Sequence, residues 1–193
     1  MKYPKFFDGI EHIVLKDKLG AFLGTSEEGI IEISYLDIVK MAGHSCGTVS
    51  GAYLMALKGL KELYGQDFPQ RGEIKVELSG TLSDNTGVTA LVLSNITGAT
   101  SDMGFMGIQG EYNRRGLMFY GVDIQSDVRF TRLDTNKSID VTYVPMKVVN
   151  PKQILQSVIG TNATEENKKT FPKRWQEMVK TIFDNEDKVI ELK

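Results

Sequence analysis

The sequence predicts an α+β protein whose mainly antiparallel sheet is packed with helices. Three observations carry this. Segments with a period-2 pattern sit next to one another in the chain. Helical segments enter in mixed order rather than alternating regularly with the strands. The last two strand segments join through Asp134-Thr-Asn-Lys137, a short polar run with hairpin chemistry.

The elements follow in order. Residues 1–29 read as an N-terminal arm with a helical stretch at Leu15–Leu23, closed by the turn-rich Gly24–Gly29. Ile30–Tyr35 is a β-type run, and Leu36–Ala42 begins a helix that Gly43 breaks. The clearest helix is Thr48–Tyr64. Val49, Ala52, Tyr53, Ala56, Leu57, Leu60, Leu63 and Tyr64 recur at helical spacing, and Gly65 supplies the stop. Glu73–Ser79 alternates charge with Ile74, Val76 and Leu78, the pattern of a half-buried strand. Ser83-Asp84-Asn85 offers capping oxygens to a helix over Thr86–Thr97, apolar on most sides and so expected to be the most buried one. Strands are expected at Leu117–Tyr120, Asp127–Leu133 and Ser138–Val144. A helix begins at Pro151 and runs to about Ile159. A final helix, capped by Thr170 with Pro172 in its first turn, carries the stripe Phe171, Trp175, Met178, Val179, Ile182 and Phe183. Residues 1–150 thus form the core with its arm, and 151–193 a helical extension packed on it.

Composition narrows function by exclusion. The 193 residues are 41% hydrophobic and 25% charged, an ordinary globular balance that excludes disorder, collagen and coiled coil. Lys+Arg number 23 against Asp+Glu 25, so no basic excess exists to carry a phosphate-contact surface, and nucleic acid is not an expected partner. The N-terminal twenty residues have charges throughout and no apolar core of signal-peptide length. Val88–Ile96, the most apolar run, is too short to span a bilayer, so the expectation is a cytoplasmic protein.

Chemistry concentrates at Gly43-His44-Ser45-Cys46-Gly47, just before the clearest helix. The chain has two His and one Cys, and one of each falls within three residues. Thiolate and imidazole are the pairing that Zn2+ favours, and N–H groups at a helix start favour a thiolate. The alternative is a small buried Cys near a turn beside a hydrogen-bonded His. A closed structural zinc site needs four donors, and this chain offers at most Cys46, His44 and His12 from Cys and His. A site here therefore completes itself with a carboxylate, with water or substrate, or with a second subunit about a two-fold axis. Candidate third ligands are His12, Asp37, which lies seven residues before His44, and Asp84, which is more simply a helix cap. A Cys–His nucleophile is a further reading, although such pairs usually meet from distant segments.

A second feature is Gly104-Phe-Met-Gly107-Ile-Gln-Gly110 followed by Asn113-Arg114-Arg115. Glycine-rich backbone can cradle an anion, with Arg114 and Arg115 holding its charge. The glycine spacing matches neither the dinucleotide fingerprint nor the P-loop. The plainer reading is a tight loop whose arginines pair with acidic neighbours.

At Met41-Ala-Gly-His-Ser-Cys-Gly-Thr-Val-Ser-Gly-Ala-Tyr-Leu-Met55 the sequence resembles the FmdE family, whose name derives from formylmethanofuran dehydrogenase. That family carries G-H-x-C-P leading into a long helix with small residues in its first turns. The likeness continues through Arg71–Glu77, Gly87–Ala90, Ile96–Ala99, Gly104–Ile108 and Asn113–Arg115, and covers roughly residues 30–135. It implies an α+β core, often an intertwined homodimer, with His44 and Cys46 as ligands of a divalent metal, zinc first, in a cleft. Two departures matter. Gly47 stands where the family has Pro, and the cysteine typical of the segment matching Ser83–Thr100 is missing. The C-terminal stretch reads as helices, so the nucleic-acid or zinc-finger role of members with an added zinc domain does not transfer. Neither does a methanogenic role follow, because the family's label comes from an operon neighbour.

Three functions are consistent with these residues. The first is an open metal site acting on a small anionic substrate positioned by Arg114 or Arg115. The second is a non-catalytic accessory or metal-sensing dimer that partners a redox enzyme. The third is a reactive thiol at Cys46.

Overall fold

The computed structural model describes residues 2–82, 85–160 and 163–193. Its helices are α1 (Lys18–Phe22), α2 (Tyr35–Ala42), α3 (Gly47–Tyr64), α4 (Thr86–Thr97), α5 (Pro151–Gln156), α6 (Glu165–Phe183) and α7 (Glu186–Val189). Its strands are β1 (Ile13–Lys16), β2 (Ile30–Ile33), β3 (Ile74–Leu78), β4 (Met118–Phe119), β5 (Val128–Arg132), β6 (Ser138–Tyr143) and β7 (Ile190–Leu192). The fold is α+β, as its sequence pattern predicts. Among the described residues no helix is long and apolar enough to cross a membrane.

Strands β1 and β2 form an antiparallel ribbon from Ile13 opposite Ile33 to Lys16 opposite Ile30. The main sheet has the order β4-β3-β5-β6-β7. Only β3 and β4 run parallel, with α4 in the long connection that a parallel pair requires. Alternation decides which face is buried. Ile74, Val76 and Leu78 point inward beside Val128, Phe130 and Val141. On the other face, Arg129 meets Asp140 directly opposite with two bonds of 2.6 and 2.7 Å, the sheet's version of a charge pair.

Helix α3 lies on the inward face, between the sheet and helices α2, α4 and α6. Small residues make this possible. A methyl group at Gly51 would overlap the ring of Tyr143, and one at Gly59 would lie 2.9 Å from Val141 and 3.0 Å from Phe130. The helix therefore touches the sheet with its backbone. Thirteen of its 18 residues are buried, against five of 12 in α4, where Leu91 is exposed. This corrects the expectation that Thr86–Thr97 is the most buried helix: a helix sandwiched between two layers outranks one that is merely apolar.

Other boundaries also differ from expectation. Ile13–Lys16 is a strand, and the helix of the arm starts only after Asp17, whose carboxylate accepts from the Leu19 and Gly20 N–H groups. Helix α6 begins at Glu165, with Thr164 accepting from the Asn167 N–H, so Pro172 lies inside the helix rather than in its first turn. The C-terminal segment is not wholly helical, because β7 pairs with β6 and extends the sheet.

The glycine contacts give a direct test by urea unfolding. Gly51→Ala gains about 1 kcal/mol of helix propensity but must displace the Tyr143 ring. A net loss of about 1–3 kcal/mol is expected. Gly87→Ala, whose new methyl meets nothing within 4 Å, should leave stability unchanged or raise it by up to about 1 kcal/mol.

Candidate functional site

The segment carrying His44 and Cys46 is a link between two helix ends. Helix α2 starts with a reciprocal cap, in which Ser34 accepts from the Asp37 N–H and Asp37 accepts from the Ser34 N–H. It stops at Gly43, whose φ of 76° is the left-handed turn that favours glycine. Cys46, in extended conformation, then caps α3, with its sulfur accepting from the Val49 N–H at 3.5 Å.

His44 is exposed, and its Nδ1 lies 3.0 Å from the Ala42 carbonyl. A carbonyl only accepts, so Nδ1 carries the proton and donates. In the neutral ring this leaves Nε2 as the free lone pair, the arrangement seen in metal-bound imidazoles. Cys46 is half-buried. Between them Ser45 is turned inward and held at both ends. Its hydroxyl lies 2.9 Å from that of Tyr35, and its carbonyl accepts from Trp175 Nε1 at 3.0 Å and Gln176 Nε2 at 3.3 Å. The Tyr143 hydroxyl donates to the Gly47 carbonyl at 2.8 Å, from the same ring that lies against Gly51.

Tyr35 is fully buried, edge-on to Phe7, Tyr53 and Phe183. Burial pushes its hydroxyl well above the usual phenol range, more than the Ser45 hydrogen bond lowers it, and nearby Cys46 adds to the rise. Burial raises Tyr143 in the same way, again with Cys46 contributing. Both phenols are therefore neutral hydrogen-bonding groups beside the sulfur, and neither serves as a base near neutral pH.

The candidate third ligands are placed elsewhere. His12 Nδ1 pairs with Glu32 at 2.7 Å. Asp37 is spent on the α2 cap. Asp84 lies outside the described residues. Among the described residues no group of three His, Cys, Asp or Glu side chains is placed to hold a metal, so neither His12 nor Asp37 joins His44 and Cys46 in such a set. Two surface clefts, of about 340 and 410 Å³, are lined by other residues than this pair.

Arg114 and Arg115 diverge. Arg114 is buried and donates to Asp17 at 2.6 Å, while Arg71 takes the other carboxylate oxygen at 3.0 Å. Its guanidinium fills the space beside Gly72 and Gly98, where Nη1 occupies the volume that a methyl group on either glycine would need. Its charge is committed to Asp17. Arg115 is exposed and donates through Nε to the Gly104 carbonyl at 2.8 Å. The paired-arginine cradle is thus one buried ion pair and one surface side chain. No sequence signal announces the partners that hold these residues, because they come from 96 residues away for Tyr143, 97 for Asp17 and 130 for Trp175.

Burial alone would raise the Asp17 carboxyl, but the Gly20 N–H, the Arg114 charge and the Arg71 hydrogen bond together hold it below its ordinary 3.8. The unfolded chain therefore binds this proton first. The stabilisation is fully present above about pH 4 and fades as pH falls through the folded-state value. Asp17→Asn should cost about 3 kcal/mol at neutral pH in urea unfolding, because it leaves two cations facing a neutral group. The deficit should shrink in acid, where wild type loses the same interaction.

No protein-family model matches this chain, and no curated protein matches it.

Proposed function

We propose that the protein is a cytoplasmic, FmdE-like metal-binding protein that holds a divalent ion, zinc first, through His44 and Cys46. The observation that carries the reading is His44 itself: its Nδ1–H is spent on the Ala42 carbonyl, its Nε2 is free, and the chain's single thiol stands two residues on at a helix cap. The donor types suit zinc. With two donors among the described residues, the remaining positions belong to water, to a small anionic substrate, to a carboxylate outside those residues such as Asp84, or to a second subunit. When bound in an open site, the ion would supply Lewis-acid chemistry or lower the pKa of a coordinated water. The protein's own contribution would be the fixed Ser45 anchor and the neutral phenols of Tyr35 and Tyr143.

A second reading is a non-catalytic accessory or sensing homodimer that partners a redox enzyme, with the ion shared across a two-fold axis. The exposure of His44, together with the lack of a third donor among the described residues, favours it.

Elemental mass spectrometry on tag-free protein separates these. About one zinc per chain, lost in Cys46→Ser and His44→Ala, supports the open site. About one per two chains, with a dimer that chelator dissociates in sedimentation, supports the shared site. No metal in wild type overturns both. Cys46→Ser should keep the fold, since serine also caps a helix.

A further inference from the structure

Helix α6 supplies two polar side chains that converge on one atom of the segment carrying both donors. Trp175 Nε1 and Gln176 Nε2 donate to the Ser45 carbonyl at 3.0 and 3.3 Å. The Gln176 Oε1 is buried with no hydrogen-bond partner among the described residues. The side chain is therefore held in this orientation by its Nε2 bond to Ser45 and not by its oxygen. From α2 the Tyr35 hydroxyl meets the Ser45 hydroxyl, so both ends of Ser45 are gripped. Cys46 is extended, with φ −149° and ψ 176°. On either side of Ser45, His44 is exposed with its Nδ1 on the Ala42 carbonyl, and Cys46 is half-buried against the core with its sulfur on the Val49 N–H.

We infer that Trp175 and Gln176 are positioning residues of the His44–Cys46 site, and that α6 is a working part of that site rather than an appendage. Their hydrogen bonds go to the Ser45 carbonyl and not to a donor atom. They act through the Ser45 carbonyl, fixing the short backbone link that carries an imidazole on one side and a thiol on the other. The metal-affinity consequence rests on the zinc reading above. The consequence for the thiol does not.

The chain has one Trp and one Cys, so both ends of this link can be followed separately. Trp175→Phe removes the donor but keeps a ring against Phe171, whose centroid is 5.3 Å away. Gln176→Met keeps the length and removes the amide. In the double variant, zinc affinity by competition with a chromophoric chelator should fall about tenfold or more, the size expected when a group that orients a ligand is lost. The rate of Cys46 alkylation by iodoacetamide in metal-free, folded protein should rise, with folding confirmed by the urea transition. Wild-type zinc affinity in the double variant overturns the inference. If wild type binds no zinc, the metal reading falls and alkylation decides alone: an unchanged rate overturns the positioning role, and a raised rate supports it. Should the double variant not fold, Gln176→Met alone gives the same two readouts under the same criteria.

Discussion

Helix α3 lies so close to the sheet that the aromatic ring of Tyr143 occupies the volume a side chain at Gly51 would need, and Phe130 and Val141 crowd Gly59 in the same way. Much else follows from that approach. It brings the apolar face of the sheet against the helix backbone, leaving the helix's larger side chains to fill the space toward α2, α4 and α6. Leu54, Leu60 and Tyr53 are consequently all buried to within about 1%. It also carries the Tyr143 hydroxyl to the Gly47 carbonyl, so the contact that packs the helix also ties down its first turn. Packing and site geometry are here one interaction.

A second lock lies at the other end of the core. Asp17 begins α1 with its carboxylate on two backbone N–H groups and accepts from two arginines distant in sequence. One carboxylate thereby joins the arm, the turn before β3 and the glycine-rich loop. Buried ion pairs are poor sources of net stability but unforgiving of a missing partner. They suit a role in fixing the register of three segments that lie far apart in sequence.

Elements whose pattern is internal to the segment are legible in sequence. The α3 stripe predicts Thr48–Tyr64, one residue from the observed start, and the alternation at Glu73–Ser79 marks β3. Elements defined by a partner are not. Strand β1 has four residues and β7 three, and each exists because a neighbouring strand receives it. The first turns of α6 give no signal because residues 165–170 are polar and show no stripe, so Thr170 stands out as a cap in place of Thr164. At the candidate site, the place of His44 and Cys46 at a helix start is readable. What holds Ser45 is not, because no local spacing announces a tryptophan from a helix 130 residues away. The Arg114–Asp17 pair is hidden for the same reason.

Those distances also bear on how the molecule comes together. Ser45, Cys46 and Gly47 take their shape from Tyr35 nearby, but also from Tyr143 and from two residues of α6 that lie 96 to 131 positions away. Contacts of such separation require most of the intervening chain to be ordered before they form. The local signals at Gly43 and at the α3 cap can form early in a folding chain. The geometry of the link between them arrives late, once β6 and α6 have docked. The chemistry-bearing segment is then among the last parts of the protein to become native, and its integrity reports on the completeness of the whole fold.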